Sequence, residues 1–284
     1  MSDDRSQERR AFRPTLDGRL EPRLLLARAA GMIRSSAADG GQTARINDAD
    51  GDVFEVVITG AGTVRATPAR GGRVNLTVQG STLDTELAIN PVLGRTVTRG
   101  QAHAGPRRDG LLHVNSIRVA TGTIGSILGY RSANLSGPIA LGSTNRVDRI
   151  AFNSIRPGGS ISAGGDLNTL DILNNANFSA AQGLAVGRDL NSLSVGQDLL
   201  FSNGAGLVIG RDLGATPQPA KGTGPDGQGV LINGNLALAE DSSILIGRDL
   251  AGNFQVDGQA SGTSRITIGR GGSGQFIIRG GFTS

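Results

Sequence analysis

The stretch that decides the fold runs from Asp166 to Ile172, Asp-Leu-Asn-Thr-Leu-Asp-Ile, because it is written again at Asp189–Val195 as Asp-Leu-Asn-Ser-Leu-Ser-Val, 23 residues later. A companion phrase, an apolar residue followed by Gly-Arg-Asp-Leu, occurs at Val186–Leu190, Ile209–Leu213 and Ile246–Leu250, and its first two copies are also 23 residues apart. Asn235-Leu236 lies at the same interval beyond Asp212-Leu213, with Asn in place of Asp. Self-similarity at a fixed period in this range marks a solenoid. Farther out, a looser unit (apolar, two small or polar residues, apolar) appears at Val114–Ile117, Ile124–Ile127, Val147–Ile150, Leu167–Leu170 and Leu190–Leu193. Asp-Leu or Asn-Leu pairs begin at 166, 189, 198, 212, 235 and 249, so the intervals 9 and 14 make up one period of 23. A coil of about 23 residues therefore carries the phrase on more than one side. From Val114 onward three-to-four spacing never persists for two turns, which argues against helix there. The expected fold is all-β, a parallel β-helix whose sides are short strands ending in turns.

Stacking then assigns roles, because equivalent residues on successive coils lie roughly 4.8 Å apart along the axis. Val186, Leu190, Leu193, Val195, Leu207, Ile209, Leu213, one of Leu245 and Ile246, and Leu250 are expected to fill a narrow core. Gly187, Gly210 and Gly247 are expected at corners that are tight or need positive φ. Asp189, Asp212, Asn235 and Asp249 are expected to cap corner N–H groups in the manner of Asx turns. Arg188, Arg211 and Arg248 are expected to point outward and offset the charge of the acidic column.

The composition suits this fold and narrows the function classes. The 284 residues include 45 Gly, only 3% aromatics and no Cys or Trp, poor material for a compact core but good material for a thin aliphatic stack with many turns. Net charge is +4, and all basic residues but Lys221 are Arg, interleaved with acids along the chain. A nucleic-acid groove needs clustered basic residues with stacking aromatics, so no nucleic-acid partner is expected. The absence of Cys excludes disulfides and thiol chemistry. No stretch approaches 18 uncharged apolar residues, so no transmembrane helix is expected. Leu24–Ile33 is broken by Arg28 and makes a poor secretory core.

Residues 1–45 read as an Arg-rich N-terminal segment and linker. Residues 1–19 are too polar to offset the cost of ordering. From Pro22, a residue well placed in a first helical turn, a short helix is expected to end before Ser35, with Leu20, Leu24 and Ala27 on one face. The stretch Leu20-Glu21-Pro22-Arg23-Leu24-Leu25-Leu26 resembles the LEPR-xLL motif near the N-terminus of a family of large bacterial surface-associated proteins, matching at Leu20, Glu21, Pro22, Arg23, Leu25 and Leu26. The resemblance implies export or surface association and does not imply a catalytic activity. The small-residue stretch 35–46 reads as a linker.

The β-helix is expected over 46–284, with irregular first coils at 46–113, regular repeats at 114–284 and a Pro/Gly-rich excursion at 214–229. Asp48-Ala49-Asp50-Gly51-Asp52 precedes a β-rich run, an opening similar to those of repeat-rich surface proteins of the same kind, and makes Asp48, Asp50 and Asp52 the candidate calcium ligands. An EF-hand with Gly51 as its turn residue would need ligands at the positions of Ile46 and Val57, so that motif fails and a plain Asp/Gly turn competes with calcium. His103 and His113 show no acid or Cys at ligand spacing and read as surface histidines. Gly222–Gly227 matches a dinucleotide glycine pattern, but Pro225 and the lack of a following helix exclude a nucleotide site. A residue recurring on every coil is structural rather than catalytic, so no enzyme activity and no required cofactor are expected. The expected function is a glycine-rich, adhesin-like or structural β-solenoid at the cell surface or outside the cell, with surface proteins or surface polysaccharide as partners. An exposed coil end also invites end-to-end self-association. A cytoplasmic polymerising scaffold resembling bactofilins is the first rival. A polysaccharide-active β-helix is the second, disfavoured because Tyr130 is the only Tyr and Trp is absent.

Overall fold

The computed structural model describes residues 34–38, 41–48, 50–92, 109–142, 146–214, 229–262 and 265–283. These form a β-solenoid of about seven turns of roughly 23 residues, as the repeats require. No helix among the described residues is long and apolar enough to cross a membrane.

The solenoid opens differently from the irregular coils expected over 46–113. β1 (Arg34–Ala38) and β2 (Gly41–Asn47) form an antiparallel hairpin where a linker was expected. β2 pairs antiparallel with β3 (Val53–Thr59). β4 (Thr63–Pro68) pairs antiparallel with β5 (Val74–Gln79), and β3 with β6 (Glu86–Pro91). Strict alternation of buried and half-buried residues in Val53–Ile58 makes β3 a strand with one face on the core. That alternation says nothing about the direction of the neighbouring strand.

Parallel stacking starts where β5 meets β7 (Leu112–Val119) and β6 meets β8 (Ser126–Leu135). β9 (Pro138–Leu141) stacks on β7, and the 17-residue β10 (Val147–Ala163) wraps a full coil over β8 and β9. Three sides then continue in register. One carries β11 (Leu167–Ile172), the next β12 (Ala176–Phe178) and the third β13 (Leu184–Val186). They are followed, one full period on, by β14 (Leu190–Val195), β15 (Leu199–Phe201) and β16 (Gly206–Ile209). Next come β17 (Gly229–Ile232), β18 (Leu236–Leu238) and β19 (Ser243–Ile246) at a step of 37. β20 (Asn253–Val256) and β21 (Ala260–Gly262) follow at 24, and β22 (Arg265–Ile268), β23 (Phe276–Ile278) and β24 (Phe282–Thr283) at 22.

The step of 37 corrects one alignment. Asn235 stacks on Asp198, and the residue above Asp212 is Asp249. The chain leaves the coil after Gly214 and rejoins it at Gly229, so everything beyond is displaced by the length of the excursion. Residues 215–228, with Lys221 and the Gly222–Gly227 pattern, lie outside the described residues.

The core is one continuous aliphatic column. Every inward position expected from the repeats is buried, and of the pair Leu245 and Ile246 it is Ile246 that points inward while Leu245 is 40% exposed. The column includes two aromatic steps, Phe178 over Phe201 at 5.3 Å and Phe254 over Phe276 at 4.3 Å, both stacked nearly parallel. Such pairs add to area burial by about 0.5–1.5 kcal/mol each.

Candidate functional site

Two groups of acids stand out in the sequence, and the structure gives them different neighbours. The first is the coil ladder. The Asp189 N–H donates to the Asp166 carboxylate, the Asp212 N–H to Asp189, and the Asp249 N–H to Asp212, each at 3.2 Å. A second ladder runs up another corner, where the N–H groups of Asp198, Asn235 and Gln259 donate to the side-chain oxygens of Asn175, Asp198 and Asn235 at 3.0, 2.8 and 2.8 Å. The acids therefore cap corner N–H groups as expected, but one coil along rather than within their own turn. Each guanidinium also reaches back one coil. Arg188 pairs with Asp166, Arg211 with Asp189, Arg248 with Asp212 and Arg270 with Asp249. The partner of each aspartate is thus an arginine one period away, not the one beside it in sequence. At Asp212 the Arg248 guanidinium, helped by the Asp249 N–H, holds the carboxyl below the usual carboxylate range against the opposing effect of burial.

The glycines of the repeat have a different cause from positive φ. Gly187, Gly210 and Gly247 are outside the left-handed region, so the positive-φ part of the expectation is corrected. Each lies directly over a glycine carbonyl of the coil beneath, and a Cβ there would come within 3.0 Å of that oxygen. The column Gly164, Gly187, Gly210, Gly247, Gly269 is a line of closest backbone approach.

The second group is an acidic junction. Asp48, Asp50 and Asp52, in the turn between β2 and β3, come together with Asp109, which precedes β7, and one oxygen from each lies within 4.8 Å of the others. Asp109 was not anticipated, because nothing local marks so distant a position in the chain as a neighbour of Asp50. One Asp48 oxygen accepts from the N–H groups of Asp50, Gly51 and Asp52, all at 3.1 Å. Asp50 accepts from Asp109 N–H at 3.0 Å, and Asp52 from Gly110 N–H at 2.7 Å, tying the start of β7 to the hairpin. His113, expected to lack an acid at ligand spacing, instead has Asp109 four residues before it at 3.3 Å.

Crowding fixes the protonation of this junction. Burial first, then the hydrogen bond and charge shared with Asp50, push Asp48 up to about 7, although the N–H groups of Asp52 and Asp50 pull the other way. Burial opposes ionisation of Asp50 too, but the Asp48 carboxyl, the Asp109 and Asp52 N–H groups and the nearby His113 outweigh it and hold Asp50 below the usual range. Below about pH 7 Asp48 is therefore the protonated member of the pair and Asp50 the ionised one. The oxygens are hard ligands of the type a calcium ion takes, yet most already accept an N–H.

The six LEPR-xLL residues, Leu20, Glu21, Pro22, Arg23, Leu25 and Leu26, and His103 lie outside the described residues. No family model, curated protein or solved structure matches the chain.

Proposed function

We propose that this chain is a non-enzymatic structural or adhesive β-solenoid acting at the cell surface or outside the cell, with surface proteins or surface polysaccharide as partners. The observation that supports this reading most is the commitment of the ladder acids. A catalytic or ion-binding column would need free carboxylates, and here Asp166, Asp189, Asp212 and Asp249 each face an arginine of the next coil. Such a ladder repeats rather than converges, which suits a rod that presents a face. The LEPR-xLL resemblance at Leu20–Leu26 is what supports the location in this reading. The test is protease treatment of intact cells carrying the chain with a C-terminal tag. Loss of the tag while a cytoplasmic marker survives supports the reading. Survival of the tag until the cells are broken removes the surface role and moves the cytoplasmic scaffold reading to first place.

Calcium at Asp48, Asp50, Asp52 and Asp109 has its own test. An ion there would replace the proton on Asp48, so above the Asp48 value of about 7 calcium at about 1 mM, a concentration that weak extracellular modules sense, should slow amide exchange at 50–52 and 109–110. Unchanged exchange leaves the junction a carboxylate latch without metal.

A further inference from the structure

Along the chain arginines and acids interleave, but on one side of the solenoid they part. Followed back from β13, the third side runs through residues 160–163 of β10, then β9, β7 and β5 to β4. No Asp or Glu stands in these strands on that side, nor in β16, β19 and β22, which continue it. Its arginines are Arg65 and Arg118 at one end and Arg265 at the other.

Arg65, Thr77 and Arg118 form one row across β4, β5 and β7, opposite one another in register. The residues before them, Val64, Leu76 and Ile117, are buried, so the three side chains face outward. Both arginines are exposed, and neither meets a carboxylate among the described residues. They differ in this from the ladder arginines, each of which has an aspartate. Two residues along from Thr77, the Asn75 side-chain oxygen accepts from the Asn115 amide and the Ser116 hydroxyl, both at 2.8 Å. The Asn75 NH2 has no acceptor among the described residues and adds a donor to the face. Past Arg118 the row continues as Ala140, Ser162 and Ala185, short side chains that leave the track open. Asp84 lies in the corner at one edge, next to Gly60, while Arg70 and Arg73 lie at the other edge, in the turn from β4 to β5.

The row selects its ligand by charge and spacing. A guanidinium fork matches a planar carboxylate. Arg65 and Arg118 are two strand steps apart, about 10 Å at roughly 4.8 Å per step. Two sugar rings of an extended polysaccharide advance by about as much, so the spacing asks for a carboxylate on alternate sugars. These strands offer no aromatic on which nucleic-acid bases could stack. The same lack counts against stacking on neutral sugars and not against ion pairs.

We propose that the row Arg65, Thr77, Arg118 is a binding track for an acidic polysaccharide with uronic acids at alternate positions, laid along the solenoid axis. The two arginines pair with successive carboxylates, and Thr77 meets the uncharged sugar between them. The inference rests on the surface-polysaccharide part of the proposed function and names its chemistry.

The test is titration calorimetry of the full chain with hyaluronan, whose glucuronates alternate with an uncharged sugar, and with neutral dextran and single-stranded DNA for comparison. Hyaluronan should bind, dextran should not, and DNA should bind more weakly than hyaluronan. Binding should fade as salt rises from about 0.1 M to about 1 M, where the screening length falls from about 10 to about 3 Å. Arg65→Gln and Arg118→Gln, at exposed positions, should each weaken hyaluronan binding about tenfold with an unchanged β-type circular dichroism spectrum. Arg118→Lys, which keeps the charge and the stem, should weaken it less. Arg131→Gln removes an exposed arginine of β8, off this side, and should leave binding intact. No hyaluronan binding up to about 1 mM, the weak end of specific association, overturns the proposal. So does dextran or DNA bound as tightly as hyaluronan, or an equal loss in Arg131→Gln. Failure here together with loss of the tag from intact cells would remove the track and keep the surface location, whereas binding with a protected tag would do the reverse.

Discussion

In the regular coils the aspartates at 166, 189, 212 and 249 each meet an arginine one coil on, whereas in the antiparallel junction Asp48, Asp50, Asp52 and Asp109 meet one another. The difference follows from the period. In a repeat, whatever stands beside an aspartate is delivered again one coil later, so a single Arg-Asp pair in the sequence neutralises the whole column. The junction has no period to supply a counter-charge. It relies on N–H donors and on keeping Asp48 protonated. The same residue type is therefore an arginine-paired rung in one region and part of a carboxylate latch in the other.

The largest way to break this contrast is through the backbone. Gly210→Ala places a Cβ against the Gly187 carbonyl, where no flexible side chain can give way. It should cost about 3 kcal/mol or more in denaturant unfolding. Gly71→Ala, in the turn between the antiparallel strands β4 and β5, meets nothing within 4 Å and strains only its φ of 73°. It should cost about 1 kcal/mol. Equal costs would mean that coil spacing does not depend on the glycine column.

A smaller effect tests the ladder. Asp212→Ala removes both the acceptor for Asp249 N–H and the partner of Arg248, and should cost about 1–3 kcal/mol. Asp212→Asn should cost less, because an amide oxygen still receives the N–H, as Asn235 does for Gln259.

Acid and base should act on the two regions in opposite directions. Asp212 is held below its ordinary value when folded. Its contribution to stability is present above the unfolded value of about 3.9 and is lost as pH falls through the lower folded value. Asp48 is raised from 3.8 to about 7 when folded. Its favourable contribution is full below 3.8 and disappears as pH rises through about 7. Amides at 50–52 and 109–110 should accordingly be less protected, relative to their intrinsic exchange rates, above pH 7 than near pH 5, while those of β14 and β16 should keep their protection. The smallest change expected is that Asp48→Asn flattens the junction's response without altering that of the coils. A junction whose protection keeps its pH dependence in this variant would assign the titration to another group.

The coils were legible in the sequence because their rule repeats. Asp-Leu-Asn and Gly-Arg-Asp-Leu state both the period and the corner chemistry. The junction was legible only as strands, since the alternation in Val53–Ile58 is the same for parallel and antiparallel neighbours. Asp109 was out of reach because its proximity to Asp50 is purely tertiary. The Asn235 alignment failed for an arithmetic reason. The excursion displaces the chain by as much as the interval from Asp198 to Asp212, so a rung on the wrong side reappears one period after Asp212. For the glycine column the tight corner was expected and the positive φ was not needed, because a one-dimensional pattern does not distinguish a residue needing positive φ from one lying against a neighbouring backbone.

The central claim is that a coil of roughly 23 residues is the structural unit, and that the step of 37 is that unit interrupted. Leu213 stacks on Leu190 and Gly229 on Ser192, so removing residues 215–228 would leave Gly214 alone between them, opposite Asn191. The measurement is thermal unfolding of this deletion, followed by circular dichroism. The account predicts a β-type spectrum and one cooperative transition within about 5 °C of the intact chain, because shortening a connection whose two ends are already in register changes little beyond loop-closure entropy. A deletion that does not fold, or that melts far below the intact chain, would contradict the uninterrupted coil as the unit on which this molecule is built.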